Sequence, residues 1–290
     1  MMAGESPGNR PGLATRRRLD AYFERIRYDG DDRPTLETLR ALQRQHVLNV
    51  PFENLDVQLG RPLTTDPEAA LDKIVFRGRG GWCYEQNGLF GWVLSKLGFS
   101  VTRAAAAVMR LDRGPVSSAN HLCLIVEIPE QPGRQYLADV GFGGSLIDPL
   151  QLTETDDVQA PFRVGLRRLD DGHWQFWEND GGGEFSYDFL ARPGDEQALA
   201  DRCTFLQNDP ASGFVLNLVA QRRTPDEHKT LRGRVYTVRG TSGKKETIVP
   251  SPDALVKILG QDFGLHLPEV SDLWPRIVER HKTFTEERHE

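Results

Sequence analysis

Three cysteines and seven histidines are the side chains of this 290-residue chain most suited to nucleophilic chemistry. A lone cysteine is most often a small buried hydrophobe. Cys123, inside the apolar run 122–126, and Cys203 fit that role. Cys83 fits it less easily, because it follows Arg79-Gly80-Gly81 and stands where a helical pattern begins. Unpaired N–H groups at a helix start favour negative charge, and so favour a thiolate. A nucleophilic thiol needs a base, and the base needs an orienting group. His121 opens a strand-like run after the loop 114–120, where an imidazole can project from a rim. His46 on a helix, and His281 and His289 in a charged tail, read as surface residues. Asp139 ends another strand-like run just before Gly141-Phe142-Gly143-Gly144, within reach of a neighbouring strand. Spacing alone leaves a turn or cap role the simpler one for Asp139, and does not select a triad. Neither Cys-x-x-Cys nor His-Glu-x-x-His occurs, so no metal site is expected.

The elements that must hold these residues follow from periodicity. Leu19, Tyr22, Phe23 and Ile26 recur at helical spacing, as do Leu36, Leu39, Leu42 and Val47 in a helix that must stop before Pro51. Asp66-Pro67 reads as N-cap and first residue of a helix over 68–75. A glycine-rich loop, 78–81, leads into the helix that starts near Cys83 and ends at Gly98. Short strand-like runs then follow at 101–109, 122–128 and 135–140, and the runs 162–169 and 173–178 flank Asp171-Gly172, a hairpin signal. A further strand is expected at 184–190. After Phe214 strands and helices mix, with a hairpin near 240–243 and helices near 253–259 and 272–282. The pattern reads as α+β: a disordered leader over 1–18, a helical bundle over 19–99, an antiparallel sheet or small barrel over 100–213 and mixed strands and helices over 214–290.

Composition narrows the class of function. The chain has 36 basic and 42 acidic residues, a formal charge of −6, which argues against a general nucleic-acid binder. No apolar run approaches the ~18 residues of a membrane span, and the N-terminus carries no signal-like apolar stretch. Three cysteines make no disulfide framework, so a cytoplasmic protein is expected.

Four segments carry a resemblance to a known family. Arg79-Gly80-Gly81-Trp82-Cys83-Tyr84-Glu85-Gln86-Asn87 resembles the nucleophile motif of the arylamine N-acetyltransferases, with Trp82 where the family usually has Phe or Tyr. Val50-Pro51-Phe52-Glu53-Asn54-Leu55 is similar to an early segment of that family, His121-Leu122 to its histidine motif, and Ala138-Asp139-Val140-Gly141-Phe142-Gly143 to its aspartate motif. Order and spacing match over about 19–214, while the C-terminal third matches loosely. The resemblance implies that 19–99 is a helical bundle, 100–213 an antiparallel β-barrel and 214–290 an α/β lid, with a triad arranged as in cysteine proteases. It implies that Cys83 is the nucleophile, His121 its proton partner and Asp139 the orienting carboxylate. It further implies that Phe52, Phe142 and Phe214 line the acetyl and acceptor pocket, and that Gly141, Gly143 and Gly144 pass close to the CoA diphosphate. The implied reaction moves the acetyl group of acetyl-CoA, a cosubstrate, to an arylamine, arylhydrazine or N-hydroxyarylamine through an acetyl-cysteine. Competing readings are an amide synthase on the same scaffold, a thiol hydrolase or transglutaminase-like enzyme, and a non-catalytic binding module.

Overall fold

The computed structural model describes residues 12–114 and 118–287. Most of the leader expected over 1–18, part of the loop 114–120 and His289 lie outside the described residues. Helix α1 (Leu13–Ile26) begins six residues ahead of Leu19, so residues 13–18 are helical, which corrects the expectation that they belong to a disordered leader. The reason is exposure: Leu13 is 86% exposed, and this first part of α1 shows no apolar period. An i,i+4 pair, Arg16 Nε to Asp20 Oδ1 at 2.8 Å, supports it instead.

Thr35 caps α2 (Leu36–Asn49) by accepting from Thr38 N–H, and Pro51 follows the helix end as expected. Two short elements come next, strand β1 (Phe52–Glu53) and helix α3 (Leu55–Gln58). Asp66 caps α4 (Pro67–Leu71), which widens into a π-helical turn over Asp72–Phe76. Helix α5 (Cys83–Leu97) closes on Gly98, whose φ of +96° suits a residue without a Cβ.

The middle of the chain contributes β2 (Ser100–Val108), the one-turn α6 (Arg110–Arg113), β3 (His121–Glu127), β4 (Gln135–Ala138) and β5 (Leu150–Gln151). Strands β6 (Thr155–Gln159), β7 (Phe162–Arg168), β8 (Trp174–Asn179) and β9 (Glu184–Phe189) complete an eight-stranded antiparallel sheet. Its order is β5-β4-β3-β2-β9-β8-β7-β6, a nearly closed barrel. Strand β3 explains its own apolar run, because both of its faces are covered. Leu124 and Val126 pack with the helices, whereas Cys123 and Ile125 point into the barrel core. His121 shares the parity of Cys123 and Ile125, which places its ring at the barrel mouth.

The remaining elements are α7 (Glu196–Asn208), α8 (Gly213–Leu216), β10 (Val219–Arg223), β11 (Glu227–Arg232), β12 (Val235–Gly240), β13 (Gly243–Ile248), α9 (Pro252–Phe263) and α10 (Trp274–Glu287). Strand β1, from the helical region, pairs with β10 and becomes the edge of a five-stranded sheet, β1-β10-β11-β12-β13. That pairing carries Phe52 to the boundary of all three regions. Among the described residues no helix is long and apolar enough to cross a membrane.

Candidate active site

Cys83 is the first residue of α5, and the groups around it fix that helix start. The Glu85 carboxylate accepts from the Trp82 backbone N–H at 3.2 Å, and Gln86 Nε2 donates to Gly81 O at 2.6 Å. The Tyr84 hydroxyl donates to Ala119 O at 2.7 Å, tying α5 to the approach to β3. Beneath the helix lies a buried ionic cluster. Lys73 Nζ meets Glu85 Oε2 at 2.9 Å and Asp56 Oδ2 at 3.0 Å, while Arg79 Nη2 meets Glu53 Oε1 at 2.7 Å and Asp56 Oδ1 at 3.0 Å. Burial pushes the Glu85 carboxyl up to about 7, against the pull of Lys73 and with the help of Glu53.

His46 is fully buried, which corrects the surface role expected for it. It lies on the inward stripe of α2 with Leu39, Leu42 and Val47, so its helical position was compatible with either face. Burial pushes its imidazole down to about 3, so the ring is neutral. Its Nε2–H donates to Gln86 Oε1 at 3.2 Å, and Nδ1 accepts from the Tyr22 hydroxyl at 2.7 Å. One tautomer thus links α1, α2 and the nucleophile helix.

The structure brings Cys83, His121 and Asp139 together. His121 Nε2–H donates to Asp139 Oδ2 at 2.6 Å, with both side chains buried. The Cys83 thiol lies beside the same imidazole, on which Nδ1 is the ring nitrogen that Asp139 does not take. Asp139 is held from three further directions: Oδ1 accepts from Asn87 Nδ2 at 2.7 Å and Gly141 N–H at 2.8 Å, and Oδ2 accepts from the Tyr187 hydroxyl at 2.8 Å. Asn87 also donates to Leu122 O and accepts from Val140 N–H, so one amide bridges the histidine and aspartate strands. Burial opposes charge on His121, but the Asp139 carboxylate and the hydrogen bonds to Asp139 and Cys83 raise it to about 10. Burial likewise works against the Asp139 carboxylate, which His121, Asn87 and Tyr187 hold below the usual range. The pair is therefore imidazolium and carboxylate near neutral pH.

Cys83 and His121 open onto a cleft of about 430 Å³ whose wall includes Phe52, Phe142 and Phe214 together with Phe185. Phe142 lies edge-on to His121 with centroids 5.1 Å apart, and Phe214 packs 5.3 Å from Trp82. The glycine turn divides. Gly141 lines the cleft, and a Cβ there would sit 2.7 Å from Cys83 Cα and 2.8 Å from Asn87 Nδ2. Gly143 and Gly144, with φ of +90° and +100°, pack instead against Gln221 and Arg223 of β10. Cys123 and Cys203 are buried, and burial raises both thiols, Cys203 to about 12. Among the described residues no group of three or more His, Cys, Asp or Glu could hold a metal ion.

A family model described as N-acetyltransferase matches residues 35–271. The arylamine N-acetyltransferase of Mycolicibacterium smegmatis is 36% identical over 90% of this chain and 97% of its own length. The chain belongs to the arylamine N-acetyltransferase family. The Escherichia coli K12 arylamine N-acetyltransferase is 31% identical over 85% of this chain and 88% of its own. Among solved structures, the Mycobacterium marinum arylamine N-acetyltransferase in complex with CoA superposes with a TM-score of 0.81 at 34% identity, covering 90% of this chain and 97% of the other. The sequence did not single out Asn87 or Tyr187 for the environment of this family member's His121 and Asp139. Asn87 had a signal, since it lies four residues after Cys83 and so on the same face of α5. Tyr187 had none beyond strand alternation with Phe185 and Phe189.

Proposed function

We propose that this chain acetylates arylamines, arylhydrazines or N-hydroxyarylamines with acetyl-CoA, using Cys83 as nucleophile, His121 as proton carrier and Asp139 as the group that orients His121. The observation that carries this reading is the buried His121–Asp139 hydrogen bond beside Cys83, with Cys83 and His121 opening onto one aromatic-walled cleft. Sulfur attacks the thioester carbonyl, the C–S bond to CoA breaks, and CoA leaves with a proton from the imidazolium. The neutral imidazole then takes a proton from the incoming amine as nitrogen attacks the acetyl-cysteine, and the Cys83 sulfur leaves as a thiolate beside the restored imidazolium. The backbone N–H groups of Cys83 and Tyr84, the first two of α5, would stabilise the oxyanion in both halves. Phe52, Phe142 and Phe214 would hold the aryl ring and keep water from the acyl-enzyme. Of the three glycines, the cleft wall favours Gly141 as a neighbour of the cofactor, and its amide is already given to Asp139. We assign the three regions as nucleophile-bearing bundle, barrel and lid, with a cytoplasmic location.

Intact mass after a brief exposure to acetyl-CoA tests the reading directly. One acetyl group should appear on Cys83, be absent in Cys83→Ser, and persist in Cys123→Ala and Cys203→Ala. Initial rates should give the parallel double-reciprocal lines of a ping-pong mechanism. Intersecting lines, or an acetyl group on another residue, would remove Cys83 from its role.

A further inference from the structure

Phe214 stands in the cleft wall with its backbone fastened and its ring held only by packing. Its carbonyl accepts from Asn54 Nδ2 at 2.9 Å and from Gln58 Nε2 at 2.6 Å. Its N–H donates to Ser212 Oγ at 3.2 Å, the cap of α8. The main chain is thereby tied to α3 on one side and to its own helix start on the other. A phenyl ring has no polar atom to anchor it, so the side chain goes where its neighbours leave room.

The neighbour behind it is Trp82. That indole is fully buried and is not among the residues lining the cleft. It meets the Phe214 ring edge-on, with centroids 5.3 Å apart and planes at 81°. On another side it meets Tyr84 at 5.4 Å and 73°, and the Tyr84 hydroxyl is tied to Ala119 O. The Trp82 N–H donates to the Glu85 carboxylate and its carbonyl accepts from Gln86 N–H, so its own backbone is fixed as well. Leu122, Leu199 and Cys203 fill the same buried cluster. The indole is confined by fixed groups, and Phe214, half-buried, is the neighbour with open space beyond it.

The indole also carries a cost. Its Nε1–H is sealed from solvent and has no hydrogen-bond partner among the described residues. A donor left unpaired in the interior is destabilising, and a phenylalanine, one of the rings usual at this point of the family motif, would carry none. What the indole supplies over a phenyl ring is bulk, and that bulk bears on Phe214.

We propose that Trp82 is a positioning residue: it holds the Phe214 ring forward against the acceptor and so sets the preference for large aryl amines, without itself touching substrate. This rests on the cleft being the acceptor site. With a smaller ring at 82 the Phe214 backbone stays where its hydrogen bonds fix it, while its side chain falls back into the vacated space. The far part of a large acceptor then loses its contact. A small acceptor that does not extend to Phe214 loses nothing.

The test compares 4-aminobiphenyl with 4-methylaniline, which carry a phenyl and a methyl at the position remote from the amine. In Trp82→Phe the ratio of kcat/KM for the biphenyl to that for the methyl compound should fall by roughly fivefold or more. Trp82→Tyr, the other ring usual in the motif, carries the same expectation should the first protein fail to fold. The decisive arm is the double variant. In a Phe214→Ala background no ring is left to hold, so adding Trp82→Phe should leave the ratio within about twofold, whereas independent effects would multiply. Melting curves accompany each protein, because a purely structural role would lower Tm and the rates on both acceptors alike. Acetylation of Cys83 by acetyl-CoA, read by intact mass, distinguishes the two ideas. An unlabelled wild type removes the acetyltransferase reading, and this one with it. A labelled wild type whose ratio is unchanged in Trp82→Phe overturns the positioning role alone. An equal loss on both acceptors, or effects that multiply in the double variant, overturns it too.

Discussion

The Tyr187 hydroxyl donates to Asp139 Oδ2, the oxygen that also holds His121 Nε2–H. Two donors on one carboxylate oxygen fix the imidazole's position more tightly than a single hydrogen bond, because the oxygen itself cannot swing toward either. Tyr187→Phe removes one of them while keeping the ring packed against His121 at 4.7 Å. Losing a hydrogen bond to a charged group costs about 1.5–3 kcal/mol, so stability should fall by that order. The transferase kcat/KM should fall by about tenfold, far less than the ~10⁴-fold that an Asp→Asn change inflicts on a comparable triad. Steady-state kinetics on Tyr187→Phe and Asp139→Asn side by side check the order; a tyrosine variant as damaged as the aspartate one would mean that the hydroxyl touches substrate.

Phe214 packs against Trp82 at 5.3 Å and Phe52 at 6.3 Å from a half-buried position in the cleft wall. Phe214→Ala should weaken use of large apolar aryl amines by about 1–3 kcal/mol and spare small ones. Kinetics across amines of increasing ring size, with melting curves, provide the measurement. A uniform loss accompanied by a large drop in Tm would put Phe214 in the core and not in the pocket.

Much of this site was legible because its local signals agree with the tertiary result. Asp66 caps α4 with Pro67 as its first residue, Gly98 ends α5, and the run 122–126 of β3 is apolar because both faces of the strand are covered. The missed parts depend on partners distant in the chain. Strand β1 has two residues and exists because Phe52 and Glu53 meet Gln221 and Ala220 of β10. Helix α7 buries only Leu199 and Cys203 within its span, too thin a stripe to announce a helix. His46 shows the reverse difficulty: a polar residue on an inward stripe is read as exposed unless Tyr22 and Gln86 are known to satisfy it.

Lys73 sits among Glu53, Asp56 and Glu85, all of them buried, directly below the turn that presents Cys83. Removing one partner of a buried ion cluster leaves uncompensated charge, so Lys73→Met should cost about 3–5 kcal/mol. Adding Glu85→Gln removes one of the three carboxylates that faced the lysine and keeps an oxygen for the Trp82 N–H. The double variant should therefore recover much of the loss. Urea midpoints of the single and double variants decide it; strictly additive losses would show that Lys73 acts through packing alone.

The His121–Asp139 pair makes stability depend on pH with a defined sign. His121 is raised in the folded protein to about 10 from an ordinary value of about 6.5. A group raised on folding stabilises fully below its unfolded value and loses that contribution as pH climbs through its folded value. The histidine's share is therefore present at pH 6 and drains away between about 6.5 and 10. Asp139, held low, adds the opposite limb: its share is present above the usual carboxylate range and is lost as pH falls through its depressed folded value. Together they give a plateau on the acid side of neutrality that slopes down toward alkali. Comparing urea midpoints of wild type and His121→Gln from pH 6 to 10 reads the histidine limb, because Asp139 keeps its Asn87 and Tyr187 donors in both proteins. The gap between them should be widest at pH 6 and shrink toward pH 10. A gap that is constant or widens over that range would show that His121 is uncharged in the folded protein, and would assign the resting proton to the thiol.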